Sequence, residues 1–455
     1  MKTSVLKFGG TSMDDHHTWK KVLEIIRQYE NPVVVVSATA RTTRKLVEAA
    51  NLAAEGKLKE AEEISEAIKT RHIEIIDGFL KENPHEKNQL IRESCVKKVN
   101  EKAGKLNKLL LYTSRKGEIT PEMKDAIISI GEQISSYLLA QCGLSLGLLT
   151  QHIEARKLIK TDAEYGKANP NMFLITQKCG SLETVLESGF TPVIGGFYGE
   201  APDGTITTLG FEGSDYSASL IGSAINASVI EIWTDVSGVF TSDPMFISNA
   251  RPLPELSYFD ATEMAYFGAK ILHPSTLKPA QERNIPVLVK NIFKPEEAGT
   301  KIIRDSEHNL DVLALSFKFN MATLTVSAYE TLMGFSFLTK IFKVLEENRI
   351  AVDAVNTTEA SVTIALSDFE KLEVLSKAFI EIGNVSLERG KGLLTLIGCS
   401  IHSVDELTEK VFSVLGKVNV DMISFTKEKR ILNLVIDEEE VVDVAKKVHS
   451  KLFDE

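Results

Sequence analysis

A short segment near the start of the chain, residues 7–12 (KFGGTS), places a lysine beside two consecutive glycines. The apolar stretch 4–6 precedes this segment, and apolar residues at helical spacing follow it from Trp19 to Ile26. The pattern predicts a strand, a glycine-rich turn and a helix, which would present backbone N–H groups and the charge of Lys7 to a phosphate. A Gly-Gly turn after a strand is also common without any ligand, so this segment alone leaves both interpretations open.

Two carboxylates in apolar or small-residue surroundings are further candidates. Glu132 follows Gly131 inside a run of apolar residues, where a glutamate either has a partner or takes part in chemistry. Asp215 lies in the segment 213–216 (GSDY), directly before a predicted helix of small residues at 217–227. Serine, glycine and aspartate at a helix start are also ordinary capping residues, and that interpretation stays open.

Other polar residues follow predicted strands. Ser37 to Thr43 (SATARTT) comes after the valine run 32–36, and Thr234 and Asp235 end the apolar stretch that begins at 229. Ligands of open α/β sheets bind beyond the carboxyl ends of the strands, although hydroxyls there could equally cap the next helix. Lys270 and His273 are three residues apart and could share a helical face, and no metal-ligand spacing surrounds them.

The composition excludes several classes of protein. The chain has 455 residues, enough for two or three domains, and a formal net charge of −11 with no basic run, which argues against nucleic acid as a partner. The four cysteines form no C-x-x-C pair and are typical of reduced thiols. We find no signal-peptide pattern and no stretch of membrane-spanning length, so we expect a cytoplasmic protein with no membrane partner.

The elements that must position these residues fall into three regions. A strongly helical region from Arg44 to about Gln141 interrupts an α/β pattern that returns between Gln151 and Asn291. After the loop 294–299 comes an internal repeat. The segment 340–345 (KIFKVL) matches 410–415 (KVFSVL), and 350–355 (IAVDAV) matches 418–423 (VNVDMI). The repeat predicts two small α+β modules with antiparallel sheets.

Taken together, these stretches resemble the aspartokinases of the amino-acid-kinase fold family, over essentially the whole chain. The tandem modules resemble the ACT domains of that family's regulatory tail, and the closing segment 447–453 (KVHSKLF) is most similar to the lysine-sensitive monofunctional branch. The matching motifs, in family order, are 7–12, 131–132, 213–216, 233–236 and 267–270.

The resemblance implies an α/β fold, in which an αβα sandwich with a mainly parallel sheet precedes two α+β ACT modules. The implied boundaries are 1–295 for the catalytic domain, 311–385 for the first module and 390–455 for the second. It also implies a homodimer, or a larger homo-oligomer, assembled through the modules.

The resemblance further implies transfer of the γ-phosphoryl group of ATP to the β-carboxylate of L-aspartate. The product would be 4-phospho-L-aspartate, at the first step of lysine, threonine and methionine biosynthesis. Lys7, Asp215 and Lys270 would be catalytic, with Asp215 orienting lysines or substrate, and Mg²⁺ would arrive with ATP without a metal site of its own. The implied nucleotide-binding residues are Lys7, Gly9, Gly10, Thr234, Asp235, Phe240 and Lys270; the implied substrate contacts are Ser37, Thr43 and Glu132.

Feedback regulation by an amino acid, with lysine preferred, is also implied, and Asp353 and Thr358 match the effector-binding positions of lysine-sensitive relatives. Asp421 holds the corresponding position in the second copy of the repeat. A role for Asp353 as a simple turn residue therefore stays open.

The sequence departs from the family at three positions. Phe211 and Glu212 follow Leu-Gly where the family usually has an arginine that binds a substrate carboxylate, Phe240 replaces a common tyrosine, and Met245 replaces a common arginine. Another cation, Arg41 or Arg44, could supply the missing contact. Two alternatives to an active aspartokinase remain: a catalytically weakened regulatory protein that binds amino acids, and a kinase of another acidic substrate.

Overall fold

A computed structural model describes residues 2–267, 272–306, 312–329, 334–367, 371–398, 404–426 and 430–454. The chain divides into two compact units. The first contains the described residues up to Val239, from Leu253 to Tyr258 and from 272 to 306; the second contains the remainder.

The first unit alternates strands and helices, as the α/β pattern predicts. Its elements, with most of α10 belonging to the second unit, are β1 (Ser4–Phe8), α1 (His16–Ile26), β2 (Pro32–Val36), α2 (Thr42–Ala54), α3 (Leu58–Glu82), α4 (Asn88–Lys116), α5 (Pro121–Ile128), α6 (Ile130–Ser145), β3 (Thr150–Ile153), α7 (Met172–Cys179), α8 (Ser181–Glu187), β4 (Thr191–Gly195), β5 (Tyr198–Glu200), β6 (Ile206–Thr208), α9 (Gly213–Ala224), β7 (Val229–Thr234), β8 (Glu255–Ser257), α10 (Tyr258–Tyr266), α11 (Pro274–Arg283), β9 (Val287–Asn291) and β10 (Thr300–Ile303).

An eight-stranded sheet with the order β3-β4-β2-β1-β7-β9-β10-β8 forms the centre of this unit. Neighbouring strands are parallel, except that β10 is antiparallel to β9. Phe8 pairs with Val36 on one side and with Trp233 on the other, and Val36 pairs with Gly195. The carboxyl ends of β1, β2, β4 and β7 therefore lie along one edge of the sheet.

Helices cover both faces of the sheet, because successive side chains of a strand point to opposite sides. Leu6 and Phe8 pack into a core with α1 to α6, whereas a Cβ on Gly222 of α9 would meet Val5 and Ile230. This arrangement confirms the predicted α/β sandwich and its mainly parallel sheet. Among the described residues, no helix has the length and apolar character that crossing a membrane requires.

The second unit is built on a six-stranded antiparallel sheet with the order β12-β13-β11-β14-β16-β15. The predicted antiparallel α+β organisation is confirmed. Its elements are β11 (Ala314–Ala328), α12 (Gly334–Glu347), β12 (Ala354–Thr357), β13 (Ser361–Leu366), α13 (Leu372–Ile380), β14 (Gly383–Ile397), α14 (Val404–Leu415), β15 (Val420–Thr426), β16 (Ile431–Asp437) and α15 (Glu438–Phe453).

The long central strands β11 and β14 pair along both of their halves, from Ala314 with Ile397 to Ala328 with Gly383. Two cores flank this pair. Leu324 packs with α12 and α13, whereas Leu315, earlier on the same strand, packs with α14 and α15. One strand thus serves both cores, and the predicted module boundaries 311–385 and 390–455 stay a prediction.

A buried histidine in α3 generates a prediction about stability. His72 is fully buried, with Nδ1 2.7 Å from the Ile68 carbonyl oxygen and Nε2 3.2 Å from Thr39 Oγ1. Burial lowers its pKa from 6.5 to about 4, so the unfolded chain binds the proton more readily between these values. We expect the free energy of unfolding to decrease as the pH is lowered through this window. His72 should account for roughly 2 kcal/mol of the decrease between pH 7 and pH 5.

Urea unfolding at pH 7 and pH 5 measures this contribution. His72→Gln should lose less stability than the wild type over this interval, and the exposed His85→Gln should keep the wild-type pH dependence. An unchanged pH dependence in His72→Gln would contradict the assignment.

Candidate active site

An ion pair joins the end of β1 to the start of α9. The Lys7 Nζ lies 2.6 Å from Asp215 Oδ1, and the two side chains are only 8% and 10% exposed. The sequence predicts a helix from residue 217, but α9 begins at Gly213 and includes Asp215 in its first turn. The carboxylate therefore fixes the lysine ammonium at the carboxyl edge of the sheet.

The glycine turn after β1 differs from the predicted strand–turn–helix. A single 3₁₀ turn, Thr11–Met13, follows Gly10, and α1 begins only at His16. Asp15 caps that helix by accepting a hydrogen bond from the Thr18 N–H at 2.8 Å. The N-terminus of α1 is thus satisfied by its own capping box and does not point a free end at the turn.

The two glycines of this turn have different surroundings. The Gly9 N–H donates to the Trp233 carbonyl at 3.2 Å and so joins β1 to β7, while the Gly10 N–H has no acceptor among the described residues. A Cβ on Gly10 would come no closer than 3.8 Å to any described atom outside the turn, the nearest being the Ala38 carbonyl oxygen. Packing within the described residues therefore does not require a glycine at position 10. The unobstructed backbone of Gly10 is suited instead to the close approach of a phosphate.

Glu132 lies in the first turn of α6 and is almost fully buried. Burial raises the pKa of its carboxyl group to about 8, while the Ala38 N–H and the charge of Lys7 act in the opposite direction. Its Oε2 atom has no hydrogen-bond partner among the described residues. A buried carboxylate oxygen without a partner is suited to receive a cationic group from a ligand.

Glycines bring α6 close enough to place Glu132 there. A Cβ on Gly131 would lie 2.6 Å from the Cβ of Ala38, and one on Gly195 would lie 2.7 Å from the carbonyl oxygen of Glu132. In addition, Ser135 Oγ donates to the Ser37 carbonyl at 2.8 Å. The end of β2, the end of β4 and α6 are therefore packed closely against one another.

The loop after β2 contains the other predicted substrate contacts. Ser37 and Thr43 are half-buried, and Thr43 lies in the first turn of α2. Arg41 and Arg44, the cations proposed to replace the missing arginine, both have exposed side chains. Arg41 has a φ of 66°, so the chain turns sharply where the loop enters α2.

Sequence analysis missed Arg71 of α3, which braces this loop. Its guanidinium donates to the Ala40 carbonyl and to Asp14 Oδ1, the latter at 2.5 Å. It thereby ties the loop after β1 to the loop after β2. No local pattern marks Arg71, because its partners lie 31 and 57 residues away in the chain.

The segment after β4 supports the start of α9. A Cβ on Gly196 would lie 2.7 Å from Ser214 Cα, and one on Gly213 would lie 2.8 Å from Phe197 Cδ2. Phe197 has a φ of 78°, and its N–H donates to Ser217 Oγ at 2.9 Å. This close packing sets the position of Asp215.

Phe211 and Glu212 occupy the loop immediately before α9. The Phe211 side chain is 79% exposed, and its ring packs edge-on against His273 with centroids 6.2 Å apart. Burial and the neighbouring Asp215 raise the pKa of Glu212, and its Oε2 has no hydrogen-bond partner among the described residues. Glu212 is thus a third carboxylate near Lys7, and sequence analysis did not include it among the site residues.

The end of β7 carries two of the predicted nucleotide-binding residues. Thr234 Oγ1 donates to Asp235 Oδ1 at 3.1 Å, and the Asn291 amide donates to the Asp235 carbonyl at 3.3 Å. Asp235 is exposed beyond the strand. Both residues lie at the edge of the sheet that carries Lys7.

The remaining predicted residues lie elsewhere. Lys270 is outside the described residues, and His273 has an extended backbone and caps α11, so it does not lie within a helix. Phe240 belongs to the second unit, where it forms an isolated bridge with Pro252. Asp353 and Thr358 also belong to the second unit.

The comparisons with known proteins agree with this geometry. The sequence model described as "Amino acid kinase family" matches residues 2–291. The chain is 31% identical to lysine-sensitive aspartokinase 3 of Escherichia coli K12, over 99% of both chains, and 32% identical to chloroplastic aspartokinase 3 of Arabidopsis thaliana, over 99% of this chain and 82% of that protein.

A solved structure extends the similarity to three dimensions. The crystal structure of E. coli aspartokinase III in complex with aspartate and ADP superimposes with a TM-score of 0.84 at 30% identity, covering 99% of this chain and 100% of the other. The chain therefore belongs to the amino acid kinase family and, within it, to the aspartokinases. The resemblance inferred from the sequence motifs is confirmed.

The glycine contacts at α9 generate a prediction. Gly196→Ala would place a methyl group 2.7 Å from Ser214 Cα, so α9 must shift or the strand must move away. We expect a loss of about 1–3 kcal/mol in the free energy of unfolding, and a loss of activity because Asp215 shifts with the helix. Urea unfolding and a kinase assay measure both effects.

Gly104→Ala in α4 is the matched control, because no described atom beyond the adjacent backbone of its own helix lies within 4 Å of the added Cβ. This variant should be more stable than the wild type by about 0.5–1 kcal/mol and fully active. Equal stability of the two variants would contradict the role assigned to Gly196.

Proposed function

We propose that the protein transfers the γ-phosphoryl group of ATP to the β-carboxylate of L-aspartate and releases ADP and 4-phospho-L-aspartate. The observation that carries this proposal is the buried Lys7–Asp215 pair at the carboxyl edge of the sheet, close to Glu132 with its unpartnered oxygen. The E. coli aspartokinase III structure in complex with aspartate and ADP supports the same pair of ligands.

The chemistry requires positioning and charge stabilisation more than proton transfer. A carboxylate is already ionised near neutral pH, so its oxygen forms the bond to phosphorus while the bond to the leaving ADP oxygen breaks, and no general base is needed. Lys7, held by Asp215, stabilises the negative charge on the transferring group. Lys270, which is outside the described residues, keeps the catalytic role that the family resemblance implies. Mg²⁺ bound to the nucleotide offsets the remaining phosphate charge.

The two substrates are assigned to different sides of Lys7. Glu132, with Ser37 and Thr43 nearby, receives the ammonium group of aspartate, because its buried oxygen needs a cationic or hydrogen-bonding partner. The nucleotide lies over Gly9, Gly10, Thr234 and Asp235. We assign catalysis to the domain formed by residues 1–295. We also propose that the reaction takes place in the cytoplasm.

The direct test is aspartate-dependent formation of an acyl phosphate. Purified protein with Mg·ATP, L-aspartate and hydroxylamine should form aspartyl hydroxamate and ADP in equal amounts. Lys7→Met should reduce the rate at least about 100-fold, because the charge of Lys7 acts on the transferring group. The exposed Lys178→Met is the control and should leave the rate unchanged. ATP binding without hydroxamate would favour another acidic substrate or a regulatory role.

The pKa of Glu132 predicts how aspartate use depends on pH. With a pKa of about 8 in the free protein, Glu132 is mostly neutral at pH 7 and becomes ionised as the pH rises. Since the ionised form binds the ammonium group, kcat/KM for aspartate should increase up to about pH 8 and then level off. Glu132→Gln should lower kcat/KM and remove this rise. A parallel pH profile in the variant would contradict the assignment.

We further propose that two ACT modules, 311–385 and 390–455, bind lysine as a feedback inhibitor and join subunits into a homodimer or larger assembly. In the second unit, Asp353 Oδ1 accepts the Lys318 ammonium at 2.7 Å, and Asp353 Oδ2 accepts from Ser367 Oγ at 3.2 Å. This carboxylate already binds one ammonium group, so the side chain of a free lysine is chemically suited to replace it. The E. coli aspartokinase III structure in complex with lysine and aspartate supports this effector.

The repeat supplies a matched pair of variants to test this site. Asp421 binds Lys391 at 2.5 Å, as Asp353 binds Lys318. Asp353→Asn should raise the lysine concentration for half-inhibition at least about 10-fold, whereas Asp421→Asn should leave it near the wild-type value. Equal effects of the two substitutions would favour a purely structural role for both. Inhibition is measured with the hydroxamate assay.

A further inference from the structure

Lys167 lies against the loop in which Phe211 replaces the usual arginine. A Cβ on Gly210 would lie 3.8 Å from Lys167 Cγ and 3.9 Å from Lys167 Cα. Burial, and to a smaller extent the charge of the nearby Lys167 ammonium, lower the pKa of the His273 imidazole. The Phe211 ring, which replaces the arginine, packs on the same histidine.

The backbone on both sides of Lys167 is fixed. Buried Asp125 accepts the Gly166 N–H at 2.8 Å and, with the same oxygen, the Thr208 N–H at 2.7 Å. On the other side of Lys167, the Ala168 N–H donates to the Thr208 carbonyl at 2.9 Å. These bonds hold the loop to the end of β6, two residues before Gly210. The position of Lys167 is therefore set by the fold, while its side chain remains exposed to a ligand.

The charges around Lys7 indicate why a further cation is needed. Glu132, Glu212 and Asp215 all lie near Lys7, and Asp215 is paired with it directly. A dicarboxylate substrate adds two negative charges to this region. Within the described part of the chain, Lys167 has no carboxylate at ion-pair distance, so its charge is available to a ligand.

We propose that Lys167 binds the α-carboxylate of the amino-acid substrate in place of the missing arginine. The proposal rests on the proposed function for the identity of the substrate. The lysine ammonium is a point charge and makes fewer directed contacts than a bidentate guanidinium. The fixed backbone of the loop compensates by holding Lys167 in position.

Calorimetric titration of the full chain in the presence of Mg·ADP tests this contact without requiring turnover. L-aspartate is compared with β-alanine, which is aspartate without its α-carboxylate. Lys167→Met should weaken aspartate binding about 10- to 100-fold, the range expected for a charge-assisted contact, and should leave β-alanine binding unchanged. Lys167→Arg should stay within about threefold of the wild type, and the exposed Lys178→Met should bind aspartate like the wild type.

The outcomes separate this inference from the proposed function. Equal aspartate affinity in the wild type and Lys167→Met overturns the inference even if hydroxamate is formed. Lys167-dependent binding of aspartate without hydroxamate supports the inference and overturns the kinase reaction. Failure of the wild type to bind aspartate overturns both. Restored aspartate affinity in the double variant Lys167→Met/Phe211→Arg would further support a shared carboxylate site.

Discussion

A lysine and an aspartate removed from water destabilise a protein unless they are paired closely, and the first unit is arranged around one such pair. The 2.6 Å contact between Lys7 and Asp215 requires the end of β1 and the first turn of α9 to meet. Gly196 and Gly213 permit this approach, since a Cβ on either would overlap the opposing segment. The left-handed backbone conformation of Phe197 is tolerated because its N–H donates a hydrogen bond to Ser217, in the helix that carries Asp215.

The parallel register extends this local constraint into a complete site. Because Phe8, Val36 and Gly195 are in register, the loops that follow three separate strands open at the same edge. Their hydrogen bonds then couple them: the Gly9 N–H binds the Trp233 carbonyl, and Arg71 bonds both to the loop after β1 and to the loop after β2. The site is thus formed jointly by the loops at this edge of the sheet, and each loop is held in position by a residue from another element.

Local signals in the sequence were sufficient to predict β1, β2, β7 and the family motifs. The valine run of β2 depends on neighbouring residues, and this strand occurs as expected. Features decided by distant residues were not predictable. The capping box of Asp15 and Thr18, which starts α1 beyond the glycine turn, is a local signal that sequence analysis missed. Glu212, by contrast, becomes partly buried beside Asp215 only when α9 reaches the sheet. Lys167 is 44 positions from Phe211 in sequence, so no motif could connect them.

The unusual Phe-Glu pair before α9 changes the electrostatics of the site in two ways at once. It removes a guanidinium and adds a carboxyl group, so cations have to come from the ligands and from other loops. Burial raises the pKa of both Glu132 and Glu212, and at a pKa of about 8 the Glu132 carboxyl group is mostly neutral at pH 7 in the free protein. Binding of a cationic group beside either carboxyl favours its ionised form and releases a proton. Glu132 can therefore stay neutral near Asp215 in the free protein, and it acquires its negative charge only when a cationic group arrives to balance it.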